Sequence, residues 1–322
     1  MKTATQISGF PAWMQDGGRS VGIRRVRDGG IEIAYDMLGP DDGEPLLLIM
    51  GMGSQLIEWP TGFCQALVER GFRLVLFDNR DSGASTHLTE QGVPNPLRMF
   101  ACPESVAPYR LSDMAADAVR VLDDVGWPSA HVVGVSMGGI VAQAMAINHP
   151  DRLRSLTAIS STPWWRLGRQ PLRTTLRAAL IYKRAVNGVE QAAQRAVDMA
   201  RILASPAFPF EEADARETGR LAYERDPDET GLERQNAAVI AGPDLRAGLA
   251  GVRLPTLVIH GSADVMIRPA GGKAIAQAVR GARWVTYLGM NHDLPRALWP
   301  SIADKISQLA RATAPMPGSR MA

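Results

Sequence analysis

Ser136 lies at the centre of Gly134-Val135-Ser136-Met137-Gly138, between an apolar run, Ala130 to Val133, and a helix-like stretch from Ile140 to His149. A strand, a tight Gly-x-Ser-x-Gly turn and a helix make the setting of a nucleophile elbow, in which the serine hydroxyl projects from the end of a sheet into a cleft. A serine hydroxyl is a poor nucleophile at neutral pH and needs a base, which in turn needs an orienting acid. Of the five histidines, His131 falls inside the elbow strand, His149 at a helix end before Pro150, His87 in a loop, and His260 at a strand end. His292, in Gly289-Met290-Asn291-His292-Asp293, follows the last apolar run and is the candidate base. Asp264, in Ile259-His260-Gly261-Ser262-Ala263-Asp264, ends the preceding run and is the candidate acid. Asp293 adjoins His292 and is expected to cap the last helix instead.

An acyl-transfer intermediate also needs donors for its oxyanion. The Met137 N–H, at the start of the helix after Ser136, is one candidate. The Met52 N–H, in the turn Met50-Gly51-Met52-Gly53-Ser54, is the other.

These residues need a scaffold that brings the ends of several strands together. Val21 to Arg27 and Ile31 to Met37 flank Asp28-Gly29-Gly30 and read as a hairpin. Pro45 to Met50 and Phe72 to Phe77 are apolar without alternation, as in strands buried on both faces. Leu153 to Ile159, Pro255 to Ile259 and Trp284 to Leu288 continue the series. Helical patterns fall at Thr61 to Arg70, from a Ser112 cap to Val125, at Ala274 to Val279 and at Pro295 to Leu309. The alternation implies an α/β fold with a mostly parallel sheet and helices on both faces, in which ligands bind at the carboxyl ends of the strands. From Pro163 to Gly251 no strand is expected. Helical signatures at Leu172 to Val186, Gly188 to Leu203 and Glu211 to Tyr223 mark a lid inserted between core strands.

The composition narrows the partners. The chain has 322 residues, 46% of them hydrophobic and 21% charged, with a net charge of +2, as in a globular protein without a polybasic or acidic tail. Neither nucleic acid nor a membrane is expected as a partner. Met1 to Gly22 has no continuous apolar core, and no later run has the roughly 20 apolar residues of a spanning helix. The tail Ala312 to Ala322 is expected to be mobile. Cys64 and Cys102 have no metal-ligand spacing and form no disulfide framework, so the expected setting is the cytoplasm. No metal or cofactor is implied.

In the order Ser136, Asp264, His292, in the elbow, in the Met52 turn, in Asp78-Asn79-Arg80-Asp81-Ser82-Gly83 and in His260-Gly261-x-x-Asp264, the chain resembles the α/β-hydrolases. The resemblance runs from Gly22 to Leu309. It implies an eight-stranded sheet, a core of residues 1–160 and 252–322, and a helical lid of residues 161–251. Leu47 to Pro60, with Met50-Gly51-Met52-Gly53-Ser54-Gln55-Leu56 and Trp59-Pro60, is similar to aclacinomycin methylesterase-like proteins, bacterial esterases of bulky polyketide-type esters. Met50 stands where many relatives have histidine, a change that leaves backbone donors intact.

The resemblance implies a serine esterase working through an acyl-enzyme on small-molecule esters of medium or bulky apolar character, methyl esters and lactones included. A carbon–carbon bond hydrolase and a cofactor-free perhydrolase use the same triad, and a non-catalytic ligand receptor shares the fold. Gly51, Trp164, Trp165, Phe208 and Met290 are the candidates for substrate contact. Phe210, Tyr223, Met50 and Met52, and the loop Glu90 to Arg110 with Met99 and Tyr109, are further candidates for pocket walls.

Overall fold

A computed structural model describes residues 22–312; the expectations for the chain before and after this range lie outside the described residues. Eight strands form one sheet: β1 (Arg24–Asp28), β2 (Ile31–Leu38), β3 (Glu44–Ile49), β4 (Phe72–Phe77), β5 (Ala130–Val135), β6 (Leu153–Ile159), β7 (Thr256–Gly261) and β8 (Arg283–Tyr287). Their order is β1-β2-β4-β3-β5-β6-β7-β8. β2 runs antiparallel to both β1 and β4, and every pair from β4 to β8 is parallel. The β1–β2 hairpin turns on Gly29 and Gly30, both at positive φ, as a two-residue turn matched to strand twist requires.

The unalternating strands are buried on both faces because alternate side chains enter different layers. In β3, Leu47 and Ile49 join one apolar cluster, whereas Leu46 and Leu48 join the other. Fully burying a side chain of this size stabilises the fold by about 1.5–3 kcal/mol. Helices α1 (Thr61–Val68), α2 (Pro96–Ala101), α3 (Leu111–Asp124) and α4 (Met137–Asn148) come before β6. Five more lie between β6 and β7: α5 (Leu172–Tyr182), α6 (Val189–Leu203), α7 (Glu212–Arg225), α8 (Thr230–Ala241) and α9 (Arg246–Leu249). Helices α10 (Pro269–Ala278) and α11 (Trp299–Arg311) are the last among the described residues. Residues of α3, α4 and α10 fill the first layer, and α1 and α11 the second. Among the described residues no helix is long and apolar enough to cross a membrane.

The structure departs from the sequence reading in four places, the first being that the expected loop Glu90 to Arg110 contains α2, capped by the Asn95 side chain. Helix α3 starts at Leu111, and its capping carboxylate is Asp113, which accepts the Arg110 N–H at 2.7 Å; Ser112 lies inside the helix. Helices α8 and α9 were not foreseen. Helix α8 buries Arg234 and Gln235 as completely as Ala237 and Ala238, so its inward face carries no clean apolar period. Asp293 does not cap α11, because its carboxylate is taken up by Ser205 at the end of α6.

Candidate active site

Ser136 sits between β5 and α4 with φ 54° and ψ −120°. This backbone state is rare for a residue with a side chain and costs about 1–3 kcal/mol. The surroundings impose it. The Ser136 N–H donates to Ile159 O at 2.9 Å, and Ser161 Oγ donates to Ser136 O at 2.8 Å. The flanking glycines are sterically required, because a Cβ on Gly134 would overlap the Gly138 carbonyl and one on Gly138 would overlap the carbonyls of Ile49 and Met50. That close approach seats the start of α4 against the end of β3. A Cβ placed on Gly51 would lie 3.5 Å from the Ser136 Cβ, so the Met50–Ser54 turn faces the serine.

Residues 156 and 28 positions apart meet at this point. His292 Nε2 lies 3.0 Å from Ser136 Oγ, and His292 Nδ1 lies 2.9 Å from Asp264 Oδ2. A carboxylate only accepts, so Nδ1 carries the ring hydrogen and Nε2 offers its lone pair to the Ser136 hydroxyl. Asp264 is buried, and its other oxygen accepts the Met266 and Ile267 N–H groups at 2.9 and 2.8 Å. Burial alone would raise its pKa. Attraction to the His292 ring when it is protonated, together with hydrogen bonds from His260 and His292, outweighs that and holds the carboxyl well below the usual aspartate range.

Residues to which the sequence reading gave no part in positioning the triad fix this geometry. His260, fully buried, donates Nε2–H to Ile267 O at 2.7 Å with that nitrogen 3.4 Å from Asp264 Oδ2, and its ring stacks on Trp284. Asn291 Oδ1 accepts the Val265 N–H at 2.8 Å, and its Nδ2 donates to Ile202 O and Ala204 O at 3.0 and 3.1 Å. The His292 N–H reaches Leu203 O at 3.2 Å, and Ser205 Oγ accepts the Asn291 N–H at 2.7 Å while bonding to Asp293. The end of α6 therefore clamps the His292 loop from both sides.

Helix α8 does the same for the β3 turn. Gln235 Oε1 accepts the Gly53 N–H at 2.7 Å, and its Nε2 donates to Arg80 O at 2.8 Å. The Asp78–Gly83 segment is an ionic hub. Asp78 pairs with Arg225 and accepts the Leu56 N–H, Arg80 pairs with buried Asp117, and buried Arg234 pairs with Asp81. Such buried pairs cost desolvation, and their use here is to fix the position of loops that carry little apolar surface.

The expected pocket residues divide. Gly51 adjoins Ser136. Trp164 and Trp165 follow the end of β6, partly buried, with the Arg166 guanidinium 5.3 and 4.9 Å from their rings. Phe208 packs on the second layer. Met290, Met50 and Met137 are buried core side chains, and of the four methionines around the site only Met52 is partly exposed. Met99 and Tyr109 are likewise buried, and Arg201 lies over Phe210. Cys64 is buried in the second layer, where desolvation pushes its thiol up to about 12. Among the described residues no group of three or more His, Cys, Asp or Glu side chains is arranged to hold a metal ion.

Known proteins share this arrangement of elements. Residues 44–295 match the alpha/beta hydrolase fold family. The chain is 31% identical to rhodomycin D methylesterase DnrP of Streptomyces peucetius, over 90% of this chain and 98% of that protein. It is 29% identical to rhodomycin D methylesterase DauP of Streptomyces sp. strain C5, with the same coverage. Among solved structures, a hydrolase from Pseudomonas aeruginosa superposes with a TM-score of 0.64 at 26% identity, covering 90% of this chain and 97% of that one. The chain therefore belongs to the alpha/beta hydrolase fold family and, with these relatives, to its carboxylic ester hydrolases.

Proposed function

We propose that the protein is a serine esterase that hydrolyses esters of bulky apolar, polyketide-type acids, methyl esters foremost, through a Ser136–His292–Asp264 triad. The observation that carries this reading is the continuous hydrogen-bonded line from Ser136 Oγ through His292 to Asp264, at 3.0 and 2.9 Å. The substrate class follows the methylesterase relatives, which are named for rhodomycin D.

In this mechanism Ser136 Oγ attacks the ester carbonyl as its proton passes to His292 Nε2, and Asp264 stabilises the imidazolium that forms. The Met137 N–H, in the first turn of α4, has no intrahelical acceptor and lies at the positive end of the helix dipole. With the Met52 N–H of the facing turn it receives the oxyanion. His292 then returns its proton to the departing alcohol, and a water activated by the same nitrogen cleaves the acyl-enzyme. Residues 161–251 act as the lid on the core that flanks them on both sides in the chain, with Trp164, Trp165 and Phe208 beside the acyl group. Both cysteines are free, which fits a cytoplasmic setting.

Two measurements test this. Ser136→Ala should lower kcat on a methyl ester by about 10⁶-fold. A fluorophosphonate should label the wild-type protein at Ser136. Near-normal turnover in the variant, or labelling at another residue, rejects the mechanism. Dienol diketones and lactones assayed beside the methyl esters decide the bond cleaved.

A further inference from the structure

The charge that looks evenly mixed over the whole chain is not mixed around α5. From Trp164 to Val189 the sequence holds Arg166, Arg169, Arg173, Arg177, Lys183 and Arg184 and no Asp or Glu. In the same stretch, Leu172, Leu176 and Leu180 are 73%, 56% and 70% exposed. Four-residue spacing puts the three leucines on one face of α5, as a ridge turned to solvent. The opposite face, with Thr174 and Ile181, is buried against the protein. Arg173 and Arg177 each follow a leucine by one position and so border the ridge along one side. Among the described residues Arg173, Arg177 and Lys183 have no ion-pair partner, whereas Arg184 pairs with Asp198. Beside the ridge, Arg177, Leu180, Ile181, Arg184, Asp198 and Arg201 line a groove of about 230 Å³.

We propose that α5 docks flat on an anionic lipid surface. The leucines enter the boundary between headgroups and acyl chains, and Arg173, Arg177 and Lys183 meet lipid phosphates, as in interfacial amphipathic helices. A second copy of the chain fits the ridge less well, because a two-fold contact would set these cations against their own counterparts. An acidic protein surface would answer the arginines but not the leucines. The inference revises the expectation that no membrane takes part, since a helix too short to span a bilayer can still lie on one. It does not rest on the catalytic assignment. It would, however, bring the Trp164–Trp165 segment leading to the site close to a phase in which apolar esters dissolve.

The test is flotation of the full chain with vesicles of phosphatidylglycerol and phosphatidylcholine in equal parts, beside vesicles of phosphatidylcholine alone. The wild type should float with the mixed vesicles only and release as salt rises. Arg173→Glu/Arg177→Glu should weaken binding on the order of 30-fold or more, because each basic residue near such a surface is worth about fivefold in partitioning. Leu176→Gln/Leu180→Gln should weaken it while leaving turnover of a soluble ester unchanged, which reports an intact fold. Failure of the wild type to float with mixed vesicles overturns the proposal, as does equal binding by the variants. Conversion of a sedimenting dimer to monomer by the leucine variant would instead assign the ridge to a contact between copies.

Discussion

Asn291→Ala tests whether the end of α6 positions the proposed catalytic base. The substitution removes the acceptor for the Val265 N–H, one residue beyond Asp264, and the donor to the Ile202 and Ala204 carbonyls. The side chain is 4% exposed, so bulk water does not replace it freely. Three neutral hydrogen bonds at about 1 kcal/mol each give a loss near 3 kcal/mol, lowered toward about 2 kcal/mol if a water enters the space. A domain with about 5–15 kcal/mol of stability stays folded after such a loss, so kinetics can be read on native protein. The Leu203 carbonyl still holds the His292 N–H, and the loop is therefore loosened and not released. A shift of about 1 Å at a reacting atom costs about 10²-fold, so kcat should fall by about 10- to 100-fold with a smaller change in KM. Urea denaturation measures the first quantity and steady-state hydrolysis of a soluble methyl ester the second. Asn291→Asp keeps an acceptor for Val265 but turns a carboxylate toward two carbonyls, so it should be no better than alanine. If Asn291→Ala loses the expected stability but keeps wild-type kcat, the clamp is structural only and the positioning argument fails.

Three other outcomes follow from the same contacts. Asp264→Asn should lower kcat by about 10⁴-fold with little change in substrate affinity, because the His292 tautomer that accepts the serine proton is no longer held; a loss under tenfold would contradict the assignment. Hydrogen bonding to Asp226, opposed by burial, raises the pKa of His87 from the ordinary 6.5 to about 9. Its contribution to stability is thus complete below pH 6.5 and lost as pH rises through about 9, so Tm should fall more across that window in the wild type than in His87→Gln. Parallel Tm curves for the two proteins would refute this. Gly138→Ala forces a methyl group onto the Ile49 and Met50 carbonyls, and thermal unfolding should show a loss of more than about 2 kcal/mol together with loss of ester turnover. A stable, active Gly138→Ala protein would mean that the elbow is looser than described.

The sheet was legible because its strands carry local signals. Runs such as Leu46 to Ile49 have no alternation, since both faces are buried, and Asp28-Gly29-Gly30 marks its own hairpin. Ser136, Asp264 and His292 could be picked out because each follows a readable strand, and parallel strands deliver their ends to one edge. Helix α8 was not legible, because a helix that buries an arginine and a glutamine shows a polar pattern on its inward face. Asp293 was misplaced because capping and a tertiary hydrogen bond call for the same short carboxylate, and the sequence does not show where Ser205 will lie.

By itself, the sequence determined the strands, their order along the chain, and which three side chains follow β5, β7 and β8. Tertiary structure alone decided what holds them there. Gln235 reaches a glycine N–H 182 positions away, and Asn291 joins the Asp264 loop to carbonyls at the end of α6. Periodicity and turn chemistry act over a few residues and so record each element's own preferences. A hydrogen bond between distant loops leaves no such local trace, because its partners come together only after the chain has folded.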